Sequence, residues 1–352
     1  MSAWIFYFCK KKNLMNKVIK YSLIIGFIFL ALTYGCKNKN NQATNGNLPT
    51  ELANLNKQIQ DDPKNADLLD ARAKYYLNHD KWNEALADIN KAMQIDDSKS
   101  EYYCTLSDIY LMMKEPARAR DILLKAIQKH PDDPVPVLKV AKFCLIIKDY
   151  KKCFEYAGKA HQMDGNNAEA FFIQGFALME TGDTIKAVEN YKAAVEHNQN
   201  YFEAFMQLGD MYAIKKDKLA GGYYDNALRI NPRSIEALYG KAFFCQENGM
   251  YDVAKDNYNR ILAIDPNYKM AYYNLGYLNL VYLKKYNEAI EYFEKAIHLD
   301  SKYFEAIYNR GLAYELMGNS AKARADYQKV LDIEVNYPKA VEALNRLDKG
   351  GR

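Results

Sequence analysis

The side chains that could do chemistry are few and scattered. Six cysteines occur, Cys9, Cys36, Cys104, Cys144, Cys153 and Cys245, with no Cys-x-x-Cys pair. A thiol acts as nucleophile or metal ligand only as the thiolate, which needs a cationic or metallic neighbourhood. Cys144, Cys153 and Cys245 instead take places in a recurring apolar pattern, where they read as small buried hydrophobes. Cys144 and Cys153 fall on facing helices of one unit, so they are either free thiols or a bridge that must meet strict geometry. The five histidines, His79, His130, His161, His197 and His298, lie in turns and at helix ends, and no two have metal-ligand spacing. His130-Pro-Asp-Asp133 reads as a boundary between units. No phosphate-cradling glycine loop, nucleophile elbow or HExxH helix is present. Carboxylates are plentiful but spread along helix faces as solvated charge. The expectation is a protein that is not an enzyme and holds no metal or cofactor.

The elements that carry these residues are set by a repeat. Small residues recur at Ala73, Ser107, Ala141, Gly175, Gly209, Ala242, Gly276 and Gly311, spaced 34, 34, 34, 34, 33, 34 and 35 apart. A second column runs Ala85, Ala119, Cys153, Ala187, Ala220, Ala254, Ala289 and Ala323. The columns lie 12 apart except in the fifth unit, with 11, and the seventh, with 13. Both changes are expected in the turn inside the unit, because turns tolerate length changes better than packed helices. Two antiparallel helices come close where side chains are small. Larger residues surround the crossing: Tyr76, Tyr110, Tyr212 and Tyr314 on first helices, Leu123, Tyr191, Tyr224, Tyr258, Phe293 and Tyr327 on second helices. Ala92, Ala126, Ala160, Ala194, Ala227 and Ala296 form a third small column facing the next unit, interrupted by Ile261 and Val330. Pro131, Pro232 and Pro266 end second helices. Gly182, Gly249 and Gly318 supply positive φ between helices.

This pattern resembles the tetratricopeptide repeat, a helix–turn–helix unit of 34 residues. The resemblance implies an all-α, right-handed superhelical solenoid of about eight units over 66–337, with a leading helix in 51–65 and a capping helix over 338–349. A polar outer face at each end keeps such a stack soluble.

The first 50 residues read as an address. Residues 1–35 hold five lysines (10, 11, 12, 17 and 20) and no acid, and account for the formal net charge of +4. Without them the signs nearly balance, and no clustered basic footprint for nucleic acid appears. Lys17 and Lys20 precede the apolar run 21–34, which is short for a spanning helix but suits a secretory signal. Met15 opens an ordinary start for such a leader, and residues 1–14 read as an over-extended one. Thr33-Tyr34-Gly35-Cys36 resembles the lipobox of bacterial lipoproteins, with Thr33 in place of the usual Leu. The resemblance implies cleavage before Cys36 and lipidation of its thiol. Several acyl chains anchor stably. Residues 36–50 are polar and Asn-rich, a flexible tether with a reach of roughly 20 Å. Lys37 after the cysteine, in place of a retention-type Asp, points to the periplasmic face of the outer membrane in a bacterial cell envelope.

In this family, partners are held by the first helices on the concave face. The ligand-facing places here are mixed and charged in the first three units: Asp70, Lys74, Asp108 and Lys142. From the fourth unit they become apolar and aromatic: Phe172, Phe176, Met206, Tyr239, Phe243, Tyr273, Tyr277, Tyr308 and Leu312. Gln207, Asn274 and Asn309 stand at the sixth place, where a side-chain amide can pair with an extended peptide's backbone. Tyrosine suits interfaces, giving area and a hydroxyl at low entropic cost. The same aromatics can instead pack between neighbouring first helices. Glu101, Glu169, Glu203, Glu236 and Glu305 recur at the second place, as an acidic rim for a basic partner or as partners of the helix dipole. The Lys and Asn pattern of a carboxylate clamp for chaperone tails is missing. The function expected is a membrane-anchored scaffold or adaptor for a protein or peptide. Alternatives are a glycan-binding lipoprotein, which the minimal turns disfavour, and a homo-oligomer forming part of an envelope complex.

Overall fold

The protein is described over residues 50–350 of a computed structural model. Cys9, Cys36, the leader and nearly all of the tether lie outside the described residues. Eighteen α-helices follow one another there, with no strand. They fall into two compact units, the first ending at His197 and the second beginning at Asn198. Unit one opens with α1 (Thr50–Asp61). Four hairpins follow: α2 (Ala66–Leu77) with α3 (Trp82–Ile95), α4 (Ser100–Met112) with α5 (Pro116–Lys129), α6 (Pro134–Ile146) with α7 (Tyr150–Met163), and α8 (Ala168–Thr181) with α9 (Thr184–His197). Unit two has α10 (Phe202–Ile214) with α11 (Leu219–Ile230), α12 (Ile235–Glu247) with α13 (Tyr251–Ile264), α14 (Lys269–Tyr277) with α15 (Tyr286–Leu299), α16 (Phe304–Leu316) with α17 (Ser320–Ile333), and then α18 (Pro338–Gly350).

Within each unit a helix packs on the helices before and after it in sequence, and first helices of adjacent hairpins also touch. This nearest-neighbour stacking is that of a solenoid. It explains the composition of first helices such as α6, which bury Val137, Val140, Ala141, Cys144 and Leu145 because neighbours cover them on several sides. Second helices bury one stripe; α7 buries only Cys153, Ala157 and Ala160. Cys104, Cys144, Cys153 and Cys245 are free, buried thiols. Burial pushes the Cys153 thiol up to about 12, the nearby Cys144 adding to the shift.

The crossings differ in detail from a meeting of two small residues. A Cβ on Gly175 would lie 2.9 Å from the Tyr191 ring, and one on Gly276 2.7 Å from the Phe293 ring. Glycine is needed there to admit an aromatic ring of the second helix. Terminal hairpins are also tied by bidentate ion pairs, Arg72 to Asp88 at 2.6 and 2.7 Å and Arg310 to Asp326 at 2.8 and 2.6 Å.

All eight hairpin turns use one left-handed residue. Glycine supplies it at Gly182, Gly249 and Gly318, but Asp80, Lys114, Lys148, Lys216 and Lys284 hold φ of 54 to 61 elsewhere. Beyond it, the next N–H closes the first helix, as from Lys81 to Tyr76 O at 2.9 Å and from Asn319 to Tyr314 O at 2.8 Å. The two length changes do not share a location, contrary to the sequence expectation. The extra residue of the seventh repeat sits in the first helix, as a π-helical turn over Leu278–Tyr282. Its closing bond spans one residue more, from Lys285 N to Asn279 O at 2.8 Å. The missing residue of the fifth repeat comes off the start of α11, which has 12 residues where α9 and α13 have 14. A π-turn lets the core register on both sides survive an insertion.

Candidate functional site

The first-helix face has a different chemistry in each unit. In unit one it is filled by ion pairs. Lys74 bridges Asp70, at 2.7 Å, and Glu101 of the next hairpin. Lys139 pairs with Asp108 of the preceding hairpin at 2.6 Å, and Lys142 pairs with Glu169 of the following one. These charges are spent on the stack itself. Phe172 and Phe176 are 4% and 8% exposed, with Phe172 tilted against Tyr191 at 5.5 Å. Their burial makes them core residues and corrects their assignment to a partner-facing surface. Met206 in unit two, 4% exposed, is corrected in the same way.

The remaining predicted residues of unit two form an aromatic wall. Tyr239, Phe243, Tyr273, Tyr277, Tyr308 and Leu312 are each partly exposed. Tyr239 lies parallel to Phe243 with centroids 6.5 Å apart, and Tyr273 stacks on Tyr277 at 6.3 Å. Asn274 and Asn309 are buried and already engaged. The amide of Asn274 donates to the Tyr239 hydroxyl at 3.1 Å, and that of Asn309 to the Tyr273 hydroxyl at 3.0 Å. Each bond links a sixth-place amide to the fifth-place tyrosine one repeat earlier, so these two amides brace the wall and do not face a peptide. Gln207 is half-buried and has no such partner among the described residues.

Three wall residues escaped the sequence reading. Tyr268, Tyr303 and Tyr337 end their repeats, just before the next first helix. Tyr239 meets Tyr268 edge-on at 6.3 Å, Tyr273 meets Tyr303 at 5.2 Å, and Tyr308 meets Tyr337 edge-on at 5.6 Å. In unit one the corresponding Asn65, Asp133 and Asn167 cap the next helix with a side-chain oxygen, whereas Tyr268 and Tyr303 cannot. A lost cap costs about 1 kcal/mol and an aromatic pair returns a similar amount. The recurrence of tyrosine at the last place of the unit was the signal available.

Carboxylates flank the wall. Asp210 accepts from the Tyr224 hydroxyl at 2.7 Å. Burial pushes the Asp210 carboxyl up to about 7; the Tyr224 bond opposes this and the nearby Glu236 charge adds to it. Burial raises Glu236 as well, with help from Glu203. The Tyr224 ring reaches Asp210 between two glycines, since a Cβ on Gly209 or Gly240 would come within 2.7 Å of it. Among the described residues neither Asp210 nor Glu236 has a cationic partner, no group of acids, histidines and cysteines is arranged for a metal, and no helix is long and apolar enough to cross a membrane.

Comparison with known proteins agrees with this architecture. Sequence models described as tetratricopeptide or TPR repeats match residues 106–133, 235–268, 279–318 and 304–336. The chain is 24% identical to human DnaJ homolog subfamily C member 7 over 322 residues, covering 77% of this chain and 61% of that protein. It is 27% identical over 187 residues to human protein O-mannosyl-transferase TMTC3, covering 50% of this chain and 19% of the relative. The chain thus spans only part of the length of these curated relatives. Among solved structures, the C-terminal part of a TPR repeat-containing protein from Cytophaga hutchinsonii aligns with a TM-score of 0.59 at 19% identity, over 70% of this chain and 99% of that one. The APC/C hetero-tetramer Cut9-Hcn1 aligns with a TM-score of 0.50 at 18% identity, over 84% of this chain and 58% of that one. The matched segments of this chain are tetratricopeptide repeats, set in an all-helical solenoid fold.

Proposed function

We propose that the chain is an interaction scaffold whose second unit receives a protein or peptide segment on its first-helix face. The observation that carries this reading is the contrast between the two units. Unit one spends its first-helix charges on internal ion pairs. Unit two leaves Tyr239, Phe243, Tyr308 and Leu312 partly exposed in a braced row. Exposed aromatics held rigid lose little entropy on binding and are the residues that dominate interfaces. The tetratricopeptide relatives support the scaffold class, and the Cut9-Hcn1 hetero-tetramer is a solenoid of this fold in complex with another protein.

The proposal extends to location on sequence grounds alone. Cys36, at the end of the apolar run, carries the lipid, and the chain hangs in a bacterial cell envelope at the periplasmic face of the outer membrane. Crosslinked capture from native membranes, comparing wild type with a Tyr239→Ala/Tyr273→Ala/Tyr308→Ala variant of unchanged helicity, tests the site. One envelope protein captured by wild type and lost by the variant supports the groove. Capture that survives the triple change sinks it. Metabolic labelling with a palmitate analogue, lost on Cys36→Ser, tests the anchor.

A further inference from the structure

Several tyrosines of unit two give their hydroxyl protons to other residues of the protein. On second helices Tyr224 donates to Asp210 at 2.7 Å, Tyr258 to Gln246 at 3.3 Å and Tyr327 to Glu315 at 2.6 Å, and on first helices Tyr282 donates to Glu247 at 3.4 Å and Tyr314 to Glu294 at 3.5 Å. Four tyrosines of the aromatic wall do not. The hydroxyls of Tyr239, Tyr268, Tyr303 and Tyr308 have no acceptor among the described residues, and Tyr239 only accepts, from Asn274. A phenol whose oxygen is occupied as acceptor still has its proton to give. The face therefore offers several aromatic surfaces with donors and few acceptors of its own. Beside it stand the carboxylates of Asp210 and Glu236, which have no cationic partner among the described residues, while Lys269 lies 5.3 Å from the centroid of the Tyr303 ring.

The matching ligand presents carbonyl oxygens, apolar surface and positive charge, and has little need for its own N–H groups to be met. A polyproline II segment has this chemistry, since it bares its carbonyls to the surroundings and proline lacks the N–H.

We infer that the partner segment is a proline-rich, lysine- or arginine-bearing stretch. It lies along the aromatic wall of unit two, with carbonyls accepting from Tyr239, Tyr268, Tyr303 and Tyr308 and a basic residue meeting Asp210 and Glu236. This rests on the groove reading above and narrows it to one ligand class.

Fluorescence anisotropy with the full chain tests it, using three labelled peptides of equal length: nine prolines flanked by lysines, the same prolines flanked by glutamates, and a lysine-flanked Gly-Ser sequence. The lysine–proline peptide is expected to bind at least tenfold more tightly than either control. Asp210→Asn/Glu236→Gln should shrink the gap between lysine and glutamate flanks to threefold or less. Equal binding of all three peptides overturns the inference, and so does a flank preference unmoved by the double change. The peptide comparison needs no variant, so misfolding cannot mask it. If no proline peptide binds while the triple alanine variant still loses its captured envelope protein, the proline assignment is wrong and the groove stands. If the triple variant loses nothing, the groove itself is wrong.

Discussion

The Asn274 amide donates to the hydroxyl of Tyr239 at 3.1 Å from one repeat further on, and Asn309 does the same to Tyr273 at 3.0 Å. The amides are 6% and 8% exposed, so neither has water in reserve. Removing the phenolic oxygen strands a buried donor. Tyr239→Phe and Tyr273→Phe should each cost about 1–2 kcal/mol, read as a shift in urea midpoint. Tyr308, which has no such amide, is the internal control: Tyr308→Phe should be nearly neutral. Equal losses at all three positions would show that the amide bonds are not what matters.

Tyr303 trades a helix cap for an aromatic contact. Tyr303→Asn restores a side-chain cap to α16 and removes the ring packed on Tyr273 at 5.2 Å. The two effects are each about 1 kcal/mol and opposed. The midpoint should move by less than about 1 kcal/mol while partner capture falls. A large loss of stability with intact capture would place Tyr303 in the core only.

The hairpin turns hold lysine in the left-handed region at Lys114, Lys148, Lys216 and Lys284. That conformation costs a residue with a Cβ about 1 kcal/mol, part of which glycine forfeits through its freer unfolded chain. Each Lys→Gly change should gain about 0.5 kcal/mol. Gly182→Lys, at φ 94, should lose about 1 kcal/mol or more. Thermal melts of the single variants decide it, and destabilised Lys→Gly variants would refute the strain.

Asp210 makes stability depend on pH. Its carboxyl, raised from 3.8 to about 7, binds a proton in the folded chain that it releases when unfolded. Stability from this group is greatest below about pH 4, declines as pH rises through the window to about 7, and is flat above. Asp210→Asn should flatten that slope and raise stability at pH 8 by about 1–2 kcal/mol, less than the full shift implies because the group keeps some solvent. Identical melting curves against pH for wild type and variant would refute the shift.

Spacing alone determined the class of this protein. Small residues from Ala73 to Gly311 in one near-constant period admit a stack of helix pairs, because a pair can approach closely only where side chains are small or absent. Gly182, Gly249 and Gly318 announced their positive φ for the same local reason. Lys148 and Lys284 could not, since lysine takes that conformation only when the surrounding turn imposes it. The π-turn at Leu278–Tyr282 was likewise invisible: an extra residue has the same sequence signature in a turn as in a helix, and only the packing on either side fixes where it goes. The face was half legible. That Tyr239 and Tyr273 belong to it follows from their place in the repeat. That Phe172 is core, Asn274 a brace and Tyr268 part of the wall depends on partners 19, 35 and 29 residues away in the chain, which the tertiary structure alone brings into contact.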